Sequence, residues 1–215
     1  MERQNLTNLL KIASHCLFDG WLIQNRSGRY IIGYANKNEV LINDFSNTVK
    51  YFIGKKPYQR TRPNAIEIEF GNKKLLQDIL QLITLNKHFK NDFYRILISN
   101  KELMRIVLKI FWSDEGMVGF YKTKSGITRK LRSRCSNKKL RNQLIMLHRI
   151  LGINAYEEYD KKGILITDRK SIKLFSSKIN FTNGVKVVKT NGSKSVWKGT
   201  DKSDVLNLLL NSYEN

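Results

Sequence analysis

The sequence predicts an α+β fold made twice over. It reads as a tandem, pseudo-two-fold repeat of an α-β-β-α-β-β-α unit, with one four-stranded antiparallel sheet per copy and helices layered on one face. Three observations predict it. The same order of helical and strand patterns runs through residues 1–96 and again through 97–215, the second copy carrying a C-terminal extension. Marker residues recur at a nearly constant offset: Glu115 lies 96 positions beyond Asp19, Asn137 lies 101 beyond Asn36, and Gly152 lies 98 beyond Gly54. The strand segments alternate between apolar and polar residues, the mark of sheets covered on one side.

Taken in order, residues 5–18 carry Leu6, Leu9, Leu10, Ala13 and Leu17 at helical spacing, and Asp19-Gly20 stops that helix. Strands at 21–26 and 29–35 flank the turn Ser27-Gly28. Asn36 is placed to cap a second helix running to about residue 52, with Gly54 as its terminator. A second strand pair, 58–62 and 65–70, turns at Pro63-Asn64, and a third helix covers 72–85. The second copy opens with a helix over 100–112 that stops at Asp114-Glu115-Gly116. Strands at 117–124 and 127–135 flank Ser125-Gly126, and a helix over 137–151 ends at Gly152. Strands at 155–160 and 164–167 flank Lys161-Lys162-Gly163, followed by a helix over 171–179. The tail adds a short strand near 185–188 and a last helix over 202–212.

A formal net charge of +21 on 215 residues either meets a polyanionic partner, nucleic acid first and anionic membrane second, or is borne as self-repulsion. The excess is uneven. Residues 1–100 hold 15 Lys and Arg against 8 acids, residues 101–215 hold 24 against 10, and residues 122–141 hold nine basic residues and no acid. A composition rich in Asn, Lys and Ile accounts for part of the excess but not for that segment. Hydrophobic residues at 41% suffice for a packed core, which excludes wholesale disorder. No stretch reaches the roughly 18 apolar residues of a membrane span. Cys16 and Cys135 cannot build a disulfide framework. The first residues lead into a polar-punctuated helix rather than a signal sequence, so an intracellular, reducing compartment is expected, in a prokaryotic cytoplasm or an organelle.

Two nine-residue words end the first helix of each copy: Ile12-Ala-Ser-His-Cys-Leu-Phe-Asp-Gly20 and Leu108-Lys-Ile-Phe-Trp-Ser-Asp-Glu-Gly116. Each closes in acid-glycine and passes straight into a strand pair. In these words, their spacing and the repeat between them, the chain resembles the LAGLIDADG homing endonucleases in their monomeric two-motif form, over roughly residues 5–180. The resemblance implies that the motif helices pack at a pseudo-two-fold axis and that the two sheets form a DNA-binding saddle. It implies that the terminal acids, Asp19 and Glu115 by position, bind divalent metal over the minor groove. Paired carboxylates repel unless a cation lies between them, and Mg²⁺ takes such oxygen ligands while keeping several waters. The carbonyls of Gly20 and Gly116 share the implied coordination. Mg²⁺ is the implied cofactor and Mn²⁺ the alternative, with Ca²⁺ expected to bind without supporting cleavage. Each acid alone reads as an ordinary helix terminator; their equivalent repeat positions favour the metal site. Asp114 competes with Glu115, which is preferred because it precedes Gly116 as Asp19 precedes Gly20. The basic residue that the family places near the cleavage centre falls on Lys186 in the second copy, with Lys87 and Lys90 as second choices in the first. The third motif position, Gly in the family, is Ser14 and Ile110 here, and His15 reads as a packed or capping group.

Alternation sets the expected DNA face. In the second copy Thr128, Lys130, Arg132 and Arg134 share one face, with Tyr121 and Thr123 beside them, while Ile127, Leu131 and Cys135 face the helices and Arg129 is an exception near the tip. In the first copy Arg29, Ile31, Gly33 and Ala35 fall on the matching face, less basic and suited to apolar contact, and Arg26 in the same hairpin is a further candidate for DNA contact. Arg60 and Arg62 flank its second hairpin, as Lys161 and Lys162 flank the second copy's. Arginine reads guanine edges bidentately and lysine mostly holds phosphates. Two sheets of eight-residue strands span on the order of 50 Å, about 15 base pairs. His15, His88 and His148 are too scattered for a His-Asn-His nuclease, and no Walker or zinc motif is present. The expected function is a site-specific, double-strand DNA endonuclease acting as a monomer and encoded within an intron. The alternatives are an RNA maturase that binds intron RNA and a non-catalytic DNA-binding protein of the same fold.

Overall fold

The computed structural model describes residues 3–25, 28–124, 126–188 and 196–214. The chain separates into two compact units, Met1–Asp114 and Glu115–Asn215. In the first, helical periodicity in the opening residues gives α1 (Arg3–Phe18), which buries Leu9, Leu10, Ile12 and Ala13. The chain turns at Asp19 into β1 (Gly20–Gln24), which pairs with β2 (Tyr30–Asn36). Next come α2 (Glu39–Ile53), β3 (Gln59–Arg62), β4 (Ala65–Gly71), α3 (Lys73–Leu82), α4 (Asn91–Ser99) and α5 (Lys101–Glu115). The sheet is antiparallel in the order β1-β2-β4-β3. Its inner face, with Ile32, Tyr34 and Ile68 fully buried, meets Leu41, Phe45 and Val49 of α2 and Leu76 and Ile79 of α3. Each such side chain contributes about 1.5–3 kcal/mol by leaving water.

The second unit repeats the order: β5 (Gly116–Thr123), β6 (Gly126–Arg134), α6 (Lys138–Ile150), β7 (Tyr156–Glu157), β8 (Gly163–Ile166), α7 (Arg169–Lys178) and α8 (Lys202–Asn211). Its sheet order, β5-β6-β8-β7, copies the first. Register matches too: Gly20 opposes Tyr34 in one sheet as Gly116 opposes Ser133 in the other. Leu131, Ile164 and Ile166 of this sheet are fully buried, as are Leu144, Ile172, Phe175 and Leu209 of its helices.

Several expectations are corrected. Asn36 does not cap α2. It pairs with Ile66 inside the β2–β4 ladder, and the cap is Asn38, whose carbonyl accepts from Leu41 and Ile42. Asn72, Asn137, Asp168 and Asp201 do cap their helices by side-chain hydrogen bonds of 2.7–3.0 Å. Gly54 closes α2 at φ 73°, the left-handed conformation that a glycine adopts without strain. The helix α4 was not foreseen; it buries only Phe93 and Leu97, too sparse a pattern to reveal itself by periodicity. The strand expected near 185–188 is a single bridge between Lys186 and Asp201. The sequence repeat restarts at 97, whereas the packing boundary falls after Asp114, because α5 joins the first unit: Phe111 meets Phe18 with ring centroids 5.1 Å apart.

Candidate active site and nucleic-acid interface

Asp19 stands where α1 gives way to β1. The turn is tight, since a Cβ on Gly20 would lie 2.5 Å from the carbonyl oxygen of Gly33 and 2.8 Å from Cys16 Cα. Only glycine fits there. The Asp19 carboxylate accepts from Asn36 Nδ2 at 2.8 Å, and Asn36 Oδ1 accepts the Asn38 backbone N–H at 2.9 Å. The carbonyl of Gly20 accepts from Lys87 Nζ at 2.8 Å. Lys87 is delivered by a compact loop. Ile83 bridges Phe89, Thr84 N–H donates to the His88 carbonyl, and Lys90 N–H donates to the Leu82 carbonyl. Lys87 itself sits at φ 53° in the bend. Sequence reasoning ranked Lys87 second; the signal that favours it is this three-dimensional loop closure, which no spacing in the sequence displays.

Asp114, the neighbour of Glu115, faces the interior of the first unit. Its side chain has no solvent exposure. Tyr34 OH donates to Asp114 Oδ1 at 2.7 Å, and His15 Nδ1 lies 3.2 Å from Asp114 Oδ2. His15 Nε2 lies 3.4 Å from Asp44 Oδ2, and Lys11 Nζ approaches the other Asp44 oxygen at 3.6 Å. Burial alone would lower the His15 pKa. The charges and hydrogen bonds of Asp114 and Asp44 overcome it and raise it to about 9. His15 is therefore an imidazolium at neutral pH, clamped between two carboxylates. Burial tends to raise the Asp44 pKa, and its bonds to His15 and Lys11 bring the net shift down. Asp114 is thus spent inside the fold, which leaves Glu115 as the outer acid of the pair.

In the second unit Glu115 is half-buried at the end of α5, and its charge acts on Cys135. Burial is the larger cause in pushing the Cys135 thiol up to about 12, with Glu115 adding to it. By register Ser133 occupies the place of Tyr34 and Cys135 that of Asn36. Ser133 Oγ is buried without a hydrogen-bond partner. Lys186 is exposed and lies at the bridge to Asp201.

The outer face of β6 carries Thr128, Lys130, Arg132 and Arg134, as the alternation predicts. The stem of Lys130 lies across Gly119 of β5, where a Cβ would come within 2.9 Å of Lys130 Cγ. Tyr121 is 48% exposed beside it, and Thr123 Oγ1 donates to the Gly126 carbonyl at the hairpin end. The basic cluster is not uniformly free for a ligand. Arg132 pairs with Glu158 at 2.7 Å and approaches Asp160 at 4.0 Å. Arg141 is buried against Glu157 and the carbonyl of Cys135. Arg129 points to the inner face, where it bonds Ser212 Oγ and the Ser212 carbonyl and lies over the Tyr213 ring. Ile127, expected to pack inward, is 48% exposed; it pairs with Lys122 at the hairpin tip, beyond the covered part of the sheet. Lys161 and Lys162 are exposed in the β7–β8 turn, with Lys161 at φ 55°.

In the first unit Arg26 lies outside the described residues. Arg29 is exposed and pairs with Glu69 at 3.6 Å, Arg62 bonds Glu67 at 2.8 Å, and Arg60 is exposed. Ile31 is only 5% exposed, and a Cβ on Gly33 would fall within 2.0 Å of the Trp21 indole. Trp21 therefore covers Gly33 and is the surface presented there. Sequence reasoning missed Trp21, Glu67 and Glu69, although β-strand alternation places all three on this face.

The donors at the α1–β1 junction are a carboxylate and a backbone carbonyl, hard oxygen ligands of the kind Mg²⁺ and Ca²⁺ take. A carbonyl oxygen has two lone pairs, so the Lys87 bond to Gly20 does not exhaust it. Among the described residues no group of three or more His, Cys, Asp and Glu is arranged to hold an ion. A cation here would draw the rest of its ligands from water and phosphate, as Mg²⁺ does. The residues fit such a group.

No family model and no curated protein sequence matches the chain. Solved structures do. Mesophilic variants of the homing endonuclease I-DmoI match at 17% identity and a TM-score of 0.59, over 82% of this chain and 98% of that one. I-DmoI in complex with DNA and Ca matches at 18% and 0.58, over 81% and 90%. The homing endonuclease I-WcaI bound to its DNA recognition sequence matches at 16% and 0.63, over 86% and 87%. At these identities the likeness is one of fold: the chain has the LAGLIDADG homing-endonuclease fold in its single-chain, two-repeat form. Among the described residues no helix is long and apolar enough to cross a membrane.

Proposed function

We propose that the chain is a site-specific endonuclease that cuts both strands of a long, asymmetric DNA duplex as a monomer, using divalent metal, and is encoded within an intron. One observation carries this reading: the acid-glycine junction occurs twice, each time where a helix of the repeat enters the first strand of a four-stranded sheet. The DNA complexes of the structural neighbours support it. Asp19 and Glu115 are the acids, with Gly20 and Gly116 contributing carbonyl oxygens. A divalent cation, when bound, supplies concentrated positive charge to the phosphodiester. The chain's own groups do the remaining work. Asn36 holds the Asp19 carboxylate in one orientation. Lys87 in the first unit, already at the Gly20 carbonyl, and Lys186 in the second bring ammonium groups to developing phosphate charge. Lys130, Arg134 and Lys161 hold the backbone, while Arg132, Tyr121 and the Arg29–Glu69 and Arg62–Glu67 pairs meet base edges.

The target can be selected from a randomised duplex library by Ca²⁺-dependent binding, then tested for cutting with Mg²⁺. Asp19→Asn and Glu115→Gln are expected to abolish double-strand cutting and preserve Ca²⁺-supported binding. A Glu115→Gln variant that cuts both strands at the unmodified rate would refute the assignment of that acid.

A further inference from the structure

Tyr34 and Asn36 lie two residues apart on the inner face of β2, and their side chains reach the acids at two different helix ends. Asn36 is 9% exposed, and both ends of its amide are engaged. The Asn38 backbone N–H can only donate, so the amide oxygen must face it and the NH₂ must face Asp19. A residue with a free rotamer could not impose this; the turn into α2 fixes it. In the second unit the register-equivalent residue beside Glu115 is Cys135, a buried thiol whose Sγ donates to the Asn137 carbonyl at 3.7 Å. The two acids are therefore approached by different chemistry from the same strand position.

We infer that Asn36 is a positioning residue for Asp19: it holds the carboxylate in the orientation that admits a divalent cation, and Cys135 is its counterpart beside Glu115. The inference rests on the proposed metal-dependent role of Asp19. Hydrogen bonds to a ligating carboxylate tune its affinity, and losing them costs roughly 10–100-fold. Because the two positions differ, the two acids take up cation at different concentrations, and the two DNA strands are cut with different metal dependence.

The test is a titration of Mn²⁺ alone into the protein, followed by paramagnetic broadening of the Gly20 and Gly116 amide signals, alongside strand-resolved cleavage. Asn36→Cys copies the second unit's solution, whereas Asn36→Asp keeps an acceptor for the Asn38 N–H and replaces the donor with a second carboxylate oxygen facing Asp19. Both variants are expected to shift the Gly20 response by roughly 10–100-fold in Mn²⁺ and leave the Gly116 response in place. Cys135→Asn is expected to shift Gly116 alone. A Gly20 response unchanged in both Asn36 variants overturns the inference. So does a shift of both signals together with the melting temperature, which marks a merely structural role. Shifted Gly20 broadening in a protein that cuts no duplex would sustain the role of Asn36 and remove the nuclease reading instead.

Discussion

Asp114 and Glu115 are neighbours in sequence with opposite surroundings, and His15 is the reason. A buried imidazolium held by two carboxylates is stable only while all three are present. His15→Leu leaves Asp114 buried without its counter-charge and should cost about 3–5 kcal/mol in urea unfolding. Replacing both, His15→Leu with Asp114→Asn, should recover part of that loss, since Tyr34 keeps an acceptor; a double variant no better than the single one would mean the pair is not coupled. The pH dependence follows in sign. The folded-state pKa of His15 is raised from 6.5 to about 9, so its stabilisation is complete below 6.5 and is lost as pH rises through 9. Burial lowers His148 from 6.5 to about 4, so that residue subtracts stability as pH falls across this window. Stability should peak near neutrality, and His15→Gln should remove the decline between 6.5 and 9 while keeping the acid limb. Chemical denaturation at a series of pH values measures both limbs. None of this was legible in the sequence. His15 and Asp114 are 99 residues apart, and a lone histidine in a helix gives no sign of its partners.

At the scale of the element, β6 was the most readable strand, and its alternation holds from Thr128 to Arg134. What alternation cannot supply is where cover ends and which charges are already answered. Leu131 has no exposure, so Leu131→Ala should cost about 2–5 kcal/mol, whereas Ile127→Ala should stay within about 0.5. Thermal or urea unfolding of the two variants checks the pair. In DNA binding, Lys130→Ala and Arg134→Ala should each flatten the log–log salt dependence by about one unit, and Arg132→Ala by less, because Glu158 already pairs with it. Filter binding across salt concentrations decides; an Arg132 effect as large as the other two would show that DNA breaks the Glu158 pair. The β2–α2 corner was legible to within two residues. Asn36 and Asn38 are both plausible caps by composition, and only the ladder to Ile66 shows that the strand runs on through Asn36.

Over the whole molecule, residues 1–114 carry 18 Lys and Arg against 10 acids, and residues 115–215 carry 21 against 8. The gross repeat, the two sheets and the positions of both acid-glycine junctions could be read from the sequence, because duplication prints the same pattern twice. The division of labour between charges could not, since Arg129 and Arg141 sit inside a segment whose composition looks uniformly solvent-facing. The last helix explains one of them. Val205, Leu206 and Leu209 of α8 are fully buried, and Trp197 Nε1 donates to the Phe120 carbonyl at 2.7 Å with the two rings stacked. A chain ending at residue 195 should therefore lose protection throughout β5 and β6 while β2 and α1 keep theirs. Amide hydrogen exchange reads this residue by residue, and retained protection in β6 would mean α8 is dispensable.

The clasp between Arg129 and Ser212 joins residues 83 apart, and this sets a timetable for synthesis. As a nascent chain emerges, the β5–β6 hairpin appears long before the segment that covers its inner side. Contacts of such separation are slow to form and leave partly built sheets open to wrong pairing. Residues 1–114 leave the ribosome first and can complete their core before α8 has emerged. The remaining unit must wait, as an uncovered cationic half-sheet, until Ser212 has left the exit tunnel.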